Sequence, residues 1–259
     1  MKHAILSFLL AALLTGGCAQ SGPAPLIVGM ELAYPPFEMT DPKGQPAGVS
    51  VDLARALAAY LGRPLKIENM PFDGLIPALK TGSIDLVLSS MTDTEERRQS
   101  IDFSEPYLRT GLAILAGKTR PVTAIEDLDF PERTVAVKLG TTAELYARDY
   151  LTNATLTVLK EESACALEVI QGKADAFLYD QMSIFQHWLR NQDTTRALLD
   201  PFKKEAWAIG VRKGQDDLRG QVNSFLRDFQ ARGGFAELAD RHLHDMKAAF
   251  DELGYPFVF

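Results

Sequence analysis

One pattern occurs twice in this chain, and it dictates the architecture. Leu79-Lys80-Thr81-Gly82-Ser83-Ile84-Asp85-Leu86-Val87-Leu88-Ser89-Ser90 reads as a helix end, a glycine stop and a short apolar strand that gives out in small polar residues. Ile170-Gln171-Gly172-Lys173-Ala174-Asp175-Ala176-Phe177-Leu178-Tyr179-Asp180 repeats it. Gly172 leads Asp175 by three residues as Gly82 leads Asp85, and Asp180 follows its aspartate by five as Ser90 does. A near-continuous apolar run such as Ile84, Leu86, Val87 and Leu88 suits a strand buried on both faces, as in a parallel sheet. Two lobes built alike follow, with Ser90 and Asp180 ending equivalent strands. By the same logic Glu31 and Lys138 end the first strand of each lobe. Ligands in open α/β sheets gather at the carboxyl ends of strands, so two such ends facing one another make a cleft.

Around the repeat, strand and helix patterns alternate, which implies parallel sheets with helices on their faces. Strands are predicted at 26–30, 65–70, 84–88, 112–116, 134–138, 156–159, 174–179 and 206–212. Helices are predicted at 51–61 with Ser50 as cap, after Phe72 with Asp73 as cap, and at 163–171, 181–191, 216–232 and 235–250. Pro35 and Pro36 hold Tyr34 and Phe37 in an extended loop, and Asp200-Pro201 reads as a break. The fold class is therefore α/β. Two lobes are expected, each an open, mainly parallel sheet with flanking helices, joined by a two-strand hinge. The first lobe takes residues 26–112 and the second 113–203, while 204–259 returns to the first and ends in an apolar tail packed on it.

The stretch Ile84 to Tyr107 supplies the chemistry. Ser89, Ser90 and Thr92 offer hydroxyls where the strand meets the crevice, and Thr92 followed by Glu95 has capping-box spacing for a helix that carries Arg97 and Arg98. A small anionic group would meet hydroxyls, a helix N-terminus and a guanidinium fork together. Adjacent helical residues point about 100° apart, so only one of the two arginines faces the crevice.

Composition narrows the partners. The 259 residues are 46% apolar and 24% charged, a globular balance, with a formal charge of -7 and no basic cluster longer than two residues. Nucleic acid is thereby excluded as an expected partner. Lys2 and His3 precede an apolar run, Ala4 to Leu14, of secretory length and too short to span a bilayer. Residues 1–17 read as a signal peptide and 18–25 as a linker. Leu14-Thr15-Gly16-Gly17-Cys18 resembles a bacterial lipobox, with Thr15 where leucine is commoner. Lipidation at Cys18 would anchor the chain to the membrane within the periplasm or cell envelope. Cys165 is the only other cysteine, so no disulfide framework is expected. Neither cofactor nor metal is expected, and the chain is read as a monomer.

Four segments together resemble the type-3 periplasmic solute-binding proteins that deliver polar amino acids to ABC importers. They are VGMELAYPPFE (28–38), FDGLIPALKTGSIDLVLSSMTDTEERRQSIDFSEPY (72–107), VAVKLGTTAE (135–144) and GKADAFLYD (172–180). The resemblance implies two lobes that close on a free polar amino acid and an ABC permease as partner. It places the ligand's α-carboxylate on Arg97, with backbone N–H groups at Thr92 and Thr142 in the loop of Thr141. The α-ammonium would lie between Asp180 and the oxygens of Ser90 and Thr92, beside Ser89. Tyr34 and Phe72 match the aromatics that sandwich the side-chain stem.

Selectivity is expected to rest on Glu31 and Lys138. A cationic side chain suits the first and not the second, a carboxylate the reverse, and an amide both. Glutamine is favoured for that reason, although the two residues are also able to pair with each other across the cleft. Ala143 departs from several cationic-ligand members, which carry glutamine there. An enzyme on the same fold, a secreted dehydratase of the cyclohexadienyl type, needs a general acid or base in the cleft. Glu31 is a candidate, but His3, His187, His242 and His244 all lie outside the matched cleft motifs. A ligand-presenting sensor module is the third alternative.

Overall fold

The computed structural model describes residues 22–255. The signal peptide, Cys18 and the last four residues of the tail lie outside that range.

The chain opens with β1 (Leu26–Met30), then a small antiparallel sheet of β2 (Ala33–Tyr34), β3 (Glu38–Thr40) and β4 (Pro46–Ala47). Next come α1 (Val49–Tyr60), β5 (Leu65–Asn69), α2 (Phe72–Thr81), β6 (Leu86–Val87), the single turn α3 (Glu95–Arg98) and the long strand β7 (Asp102–Gly117). A 3-10 turn at Ile125–Leu128 leads to β8 (Thr134–Lys138), α4 (Thr142–Tyr150), β9 (Thr155–Leu159), α5 (Glu162–Ile170), β10 (Ala176–Asp180) and α6 (Gln181–Arg190). The second long strand, β11 (Thr195–Val211), precedes α7 (Asp216–Ala231), α8 (Gly234–His242) and α9 (His244–Glu252).

The main sheet has the order β5-β1-β6-β11-β7-β10-β8-β9. At one end β5 and β6 flank β1 in parallel, and at the other β10, β8 and β9 run parallel. Between them β7 and β11 run antiparallel. Asp102 and Phe103 of β7 pair with the end of β11 beside β6, while Leu112 to Ala116 pair with β10. Each long strand thus belongs to both halves, which makes the two-strand connection expected of the two-lobe α/β fold.

Asp200-Pro201 does not break the chain as expected. β11 runs through it, and the ladder absorbs the proline as a register shift between Leu198 and Lys203. Proline has no N–H to give a ladder, so pairing skips there. Gly111 makes room, since a Cβ on it would stand 2.4 Å from Pro201 Cβ. Other expectations change as well. Ser50 lies inside α1, whose cap is Gly48, and Pro71 rather than Asp73 caps α2. Thr94, not Thr92, caps α3, its hydroxyl accepting from Arg97 N–H. The expected helix 235–250 is two, divided at Leu243. Of the terminal helices, α7 and α8 lie by α1, and α9, packed on α8, also reaches α6, where Phe250 meets Phe185 at a centroid distance of 5.0 Å.

Apolar packing follows the topology. Leu75, Leu79, Ile84, Val87, Ile101 and Phe103 bury one face of the first half, and Leu112, Ile114, Val135, Val137, Ala147 and Leu178 one face of the second. A larger cluster on the opposite face runs through both halves.

Candidate functional site

The strand ends named by the sequence converge. Glu31 follows β1, Ser89 and Ser90 follow β6, Lys138 ends β8 and Asp180 ends β10, all at the carboxyl ends of parallel strands. A cavity with about 30 Å³ of free space lies among them. Its wall includes Glu31, Tyr34, Phe72, Ser89, Ser90, Thr92, Arg97, Thr141, Thr142 and Asp180.

Arg97 is 6% exposed. Its Nη1 donates to Thr92 O at 2.7 Å and its Nη2 to Gly140 O at 3.0 Å, across the cleft, while Phe72 lies against its face at 5.4 Å. A guanidinium has five N–H donors, so donors remain for a ligand carboxylate. Burial lowers its pKa to about 10, which leaves it charged at neutral pH. Arg98 turns outward and pairs with Asp93. The short α3 does not aim a long helix dipole at the cleft, contrary to expectation. The backbone bridge of Thr92 to Trp207 is made by Asp93 N–H and Ala208 N–H. On the far wall Thr141 caps α4, its hydroxyl accepting from Glu144 N–H, so the first N–H groups of a nine-residue helix face this region.

Asp180 caps α6. Its Oδ1 accepts from Met182 N–H at 3.0 Å and Ser183 N–H at 3.2 Å, while Oδ2 takes neither bond. Burial raises its pKa to about 7, opposed by the neighbouring Tyr34 hydroxyl. It therefore serves as helix cap and cavity wall at once. Tyr34 is buried in an aromatic nest, stacked on Phe37 at 5.4 Å and edge-on to Tyr179 and Trp207 at 6.0 Å each. Its hydroxyl is fully buried beside Asp180, and that burial drives its pKa well above the usual phenol value.

Lys138 is not on the cavity wall. It is 1% exposed and donates to Glu31, forming a buried ion pair between the two halves. The other oxygen of Glu31 accepts from Phe72 N–H at 3.4 Å. Burial raises the Glu31 pKa, and Lys138 opposes the rise.

Sequence reasoning passed over four polar or aromatic wall residues: Glu38, Tyr179, Glu205 and Trp207. Glu38 accepts from Ser90 Oγ at 3.1 Å, and burial raises its pKa to about 8. Glu205 accepts from Thr92 and Thr142 hydroxyls at 2.9 and 3.0 Å. Glu38 stood inside a quoted motif; Glu205 stood one residue before the predicted strand. Ser90 is the only non-glycine with positive φ among the described residues, at 47°. Such a backbone costs on the order of 1–3 kcal/mol and clusters at binding sites.

Residues 26–245 match the family model of bacterial extracellular solute-binding proteins, family 3. An L-arginine-binding protein of Pseudomonas aeruginosa is 32% identical over 227 residues, which span 84% of this chain and 87% of that protein. Among solved structures, an ancestral arginine-binding protein bound to glutamine superposes with a TM-score of 0.78 at 32% identity, covering 85% of this chain and 97% of that one. An ancestral amino acid-binding protein, a precursor of cyclohexadienyl dehydratase, gives a TM-score of 0.77 at 34% identity, covering 84% and 94%.

Proposed function

Since the chain belongs to the bacterial extracellular solute-binding proteins of family 3, we propose that it captures a free polar amino acid between its lobes and delivers it to an ABC transporter permease. One observation carries this reading: Arg97 and Asp180, from opposite halves, line the same buried cavity. A guanidinium and a carboxylate so arranged suit the two ends of a zwitterion, with Tyr34 and Phe72 against its stem. In this reading the first lobe takes 26–112 and 204–259 and the second 113–203. The chain works as a monomer in the periplasm or cell envelope, exported by residues 1–17 and held by lipid at Cys18. No helix among the described residues is long and apolar enough to cross a membrane.

Glutamine is the first choice. Its amide donates N–H to Glu31 without adding charge beside Lys138. A basic amino acid is the second, favoured by Asp180 and Glu205 standing against the single Arg97 on the wall. A ligand that binds only the folded form raises the melting temperature. A thermal-shift panel of the twenty amino acids, followed by calorimetry, tests both: stabilisation by glutamine alone supports the first, by arginine or lysine the second. No shift with any of them overturns the proposal. Turnover of prephenate or arogenate would instead favour the dehydratase.

A further inference from the structure

We propose that Glu205 is a positioning residue that sets the hydrogen-bond polarity of the cavity, so that it selects ligands rich in N–H donors over ligands that present a second carboxylate. The inference rests on the amino-acid-binding reading above. Glu205 sits on β11 where that strand passes between the halves, and its side chain is 3% exposed. Its Oε2 accepts from Thr92 Oγ1 at 2.9 Å and from Thr142 Oγ1 at 3.0 Å, one hydroxyl from each half. Its Oε1 is buried without a hydrogen-bond partner among the described residues, the Lys203 ammonium standing 3.9 Å away.

A threonine hydroxyl has one proton to donate and two lone pairs to accept with, and a carboxylate only accepts. Both protons are therefore spent on Glu205. What Thr92 and Thr142 present to the cavity they line is lone pairs alone. An ammonium, amide or guanidinium N–H is satisfied there. A carboxylate oxygen meets two acceptors and the Glu205 charge behind them, and must rely on Arg97 and backbone N–H groups. One α-carboxylate fits that supply; a second goes unpaired, and an unpaired buried charge is strongly disfavoured.

Glu205→Gln tests this. A glutamine amide accepts through its oxygen and donates through its nitrogen, so one threonine must accept from it and turn its own proton toward the cavity. With L-glutamine and L-glutamate as calorimetric probes, the wild type is expected to prefer glutamine by about 100-fold or more, and Glu205→Gln to narrow that ratio by about 10-fold. Should the amide variant not fold, Thr142→Val and Thr142→Ser carry the same test: valine removes an acceptor and weakens glutamine binding without improving glutamate, and serine restores the wild-type ratio. A purely structural residue would lower both affinities together. An unchanged ratio in Glu205→Gln, or in Thr142→Val where the amide variant does not fold, overturns the proposal while leaving the amino-acid reading in place. A wild type that binds neither glutamine nor glutamate overturns the proposal, and one that binds no amino acid at all overturns the amino-acid reading with it.

Discussion

Lys138 and Glu31 close the cleft with a buried ion pair whose members end the first strand of each half. Their equivalence in the two lobes is what brings them face to face, and among the described residues neither forms another ion pair. The pair takes up one of the acids on the cavity wall. The ends of two matching strands thus serve as a latch between halves.

Removing one member leaves a buried charge uncompensated, a cost of about 3–5 kcal/mol where the site cannot open. Here it can open, because the two residues belong to different halves. Lys138→Met is expected to shift the ligand-free chain toward an open form, seen as a larger scattering radius with unchanged circular dichroism. Glu31→Met with Lys138→Met, an apolar pair of similar size, should restore the compact radius. Equal radii for the wild type and Lys138→Met would show that the pair does not hold the halves.

Arg97 and Asp180 define the ends of the proposed ligand. Losing one member of a buried, hydrogen-bonded charge pair costs about 2–5 kcal/mol, so Arg97→Ala and Asp180→Ala should each weaken amino-acid affinity by about 30-fold or more. Arg97→Lys keeps the charge but not the fork and should fall between. Calorimetric affinities near wild type in both alanine variants would remove the site assignment.

The repeat of helix, glycine and strand placed the fold and brought the strand ends Glu31, Ser90 and Asp180 to one cavity, while Tyr34, Phe72 and Thr142 came from the family resemblance. Gly82 and Gly172 take positive φ, at 80° and 71°, and the strands after them end at Ser90 and Asp180 on one cavity. What escaped was chemistry that depends on tertiary pairing. Glu205 matters only because β11 passes without interruption through Pro201, and no local pattern says that a neighbouring strand will absorb a proline. Glu38 lies on a three-residue strand too short for a period to register. The cap moved from Thr92 to Thr94 because the Thr92 hydroxyl donates instead to Glu205, 113 residues away.

Gly140 separates closure from folding. Its φ is +77°, and a Cβ there would stand 3.2 Å from Asp73 Cβ, on α2 of the opposite half. The left-handed backbone costs a non-glycine residue roughly 1–2 kcal/mol whether the cleft is open or closed. The contact with Asp73 and the Arg97 bond to Gly140 O both run between the two halves, so parting the halves would break them. Gly140→Ala should therefore lower the ligand-free melting temperature slightly and reduce affinity by about 5-fold or more beyond that. An affinity equal to wild type in a variant of lowered melting temperature would show that α2 and the Gly140 turn do not approach on closure.

pH should move stability and affinity in opposite directions. Burial holds Asp180 at about 7 and Glu38 at about 8, above their ordinary values of 3.8 and 4.5. Both folded values are raised, so between pH 5.5 and 8 the folded chain binds protons that the unfolded chain does not, and stability from these groups grows as pH falls. The lowered carboxylates, Asp52 and Asp127, titrate below that window and do not reverse the trend within it. An ammonium ligand, however, needs Asp180 ionised. Its affinity should decline as pH drops below about 7, by up to tenfold per unit for one group. Melting curves of the ligand-free chain at pH 6 and 8, with calorimetry at the same two values, check both signs. In Asp180→Asn the group no longer titrates, so the fall in affinity should flatten. Tighter binding at pH 6 than at pH 8 in the wild type would mean that the ammonium does not rest on Asp180.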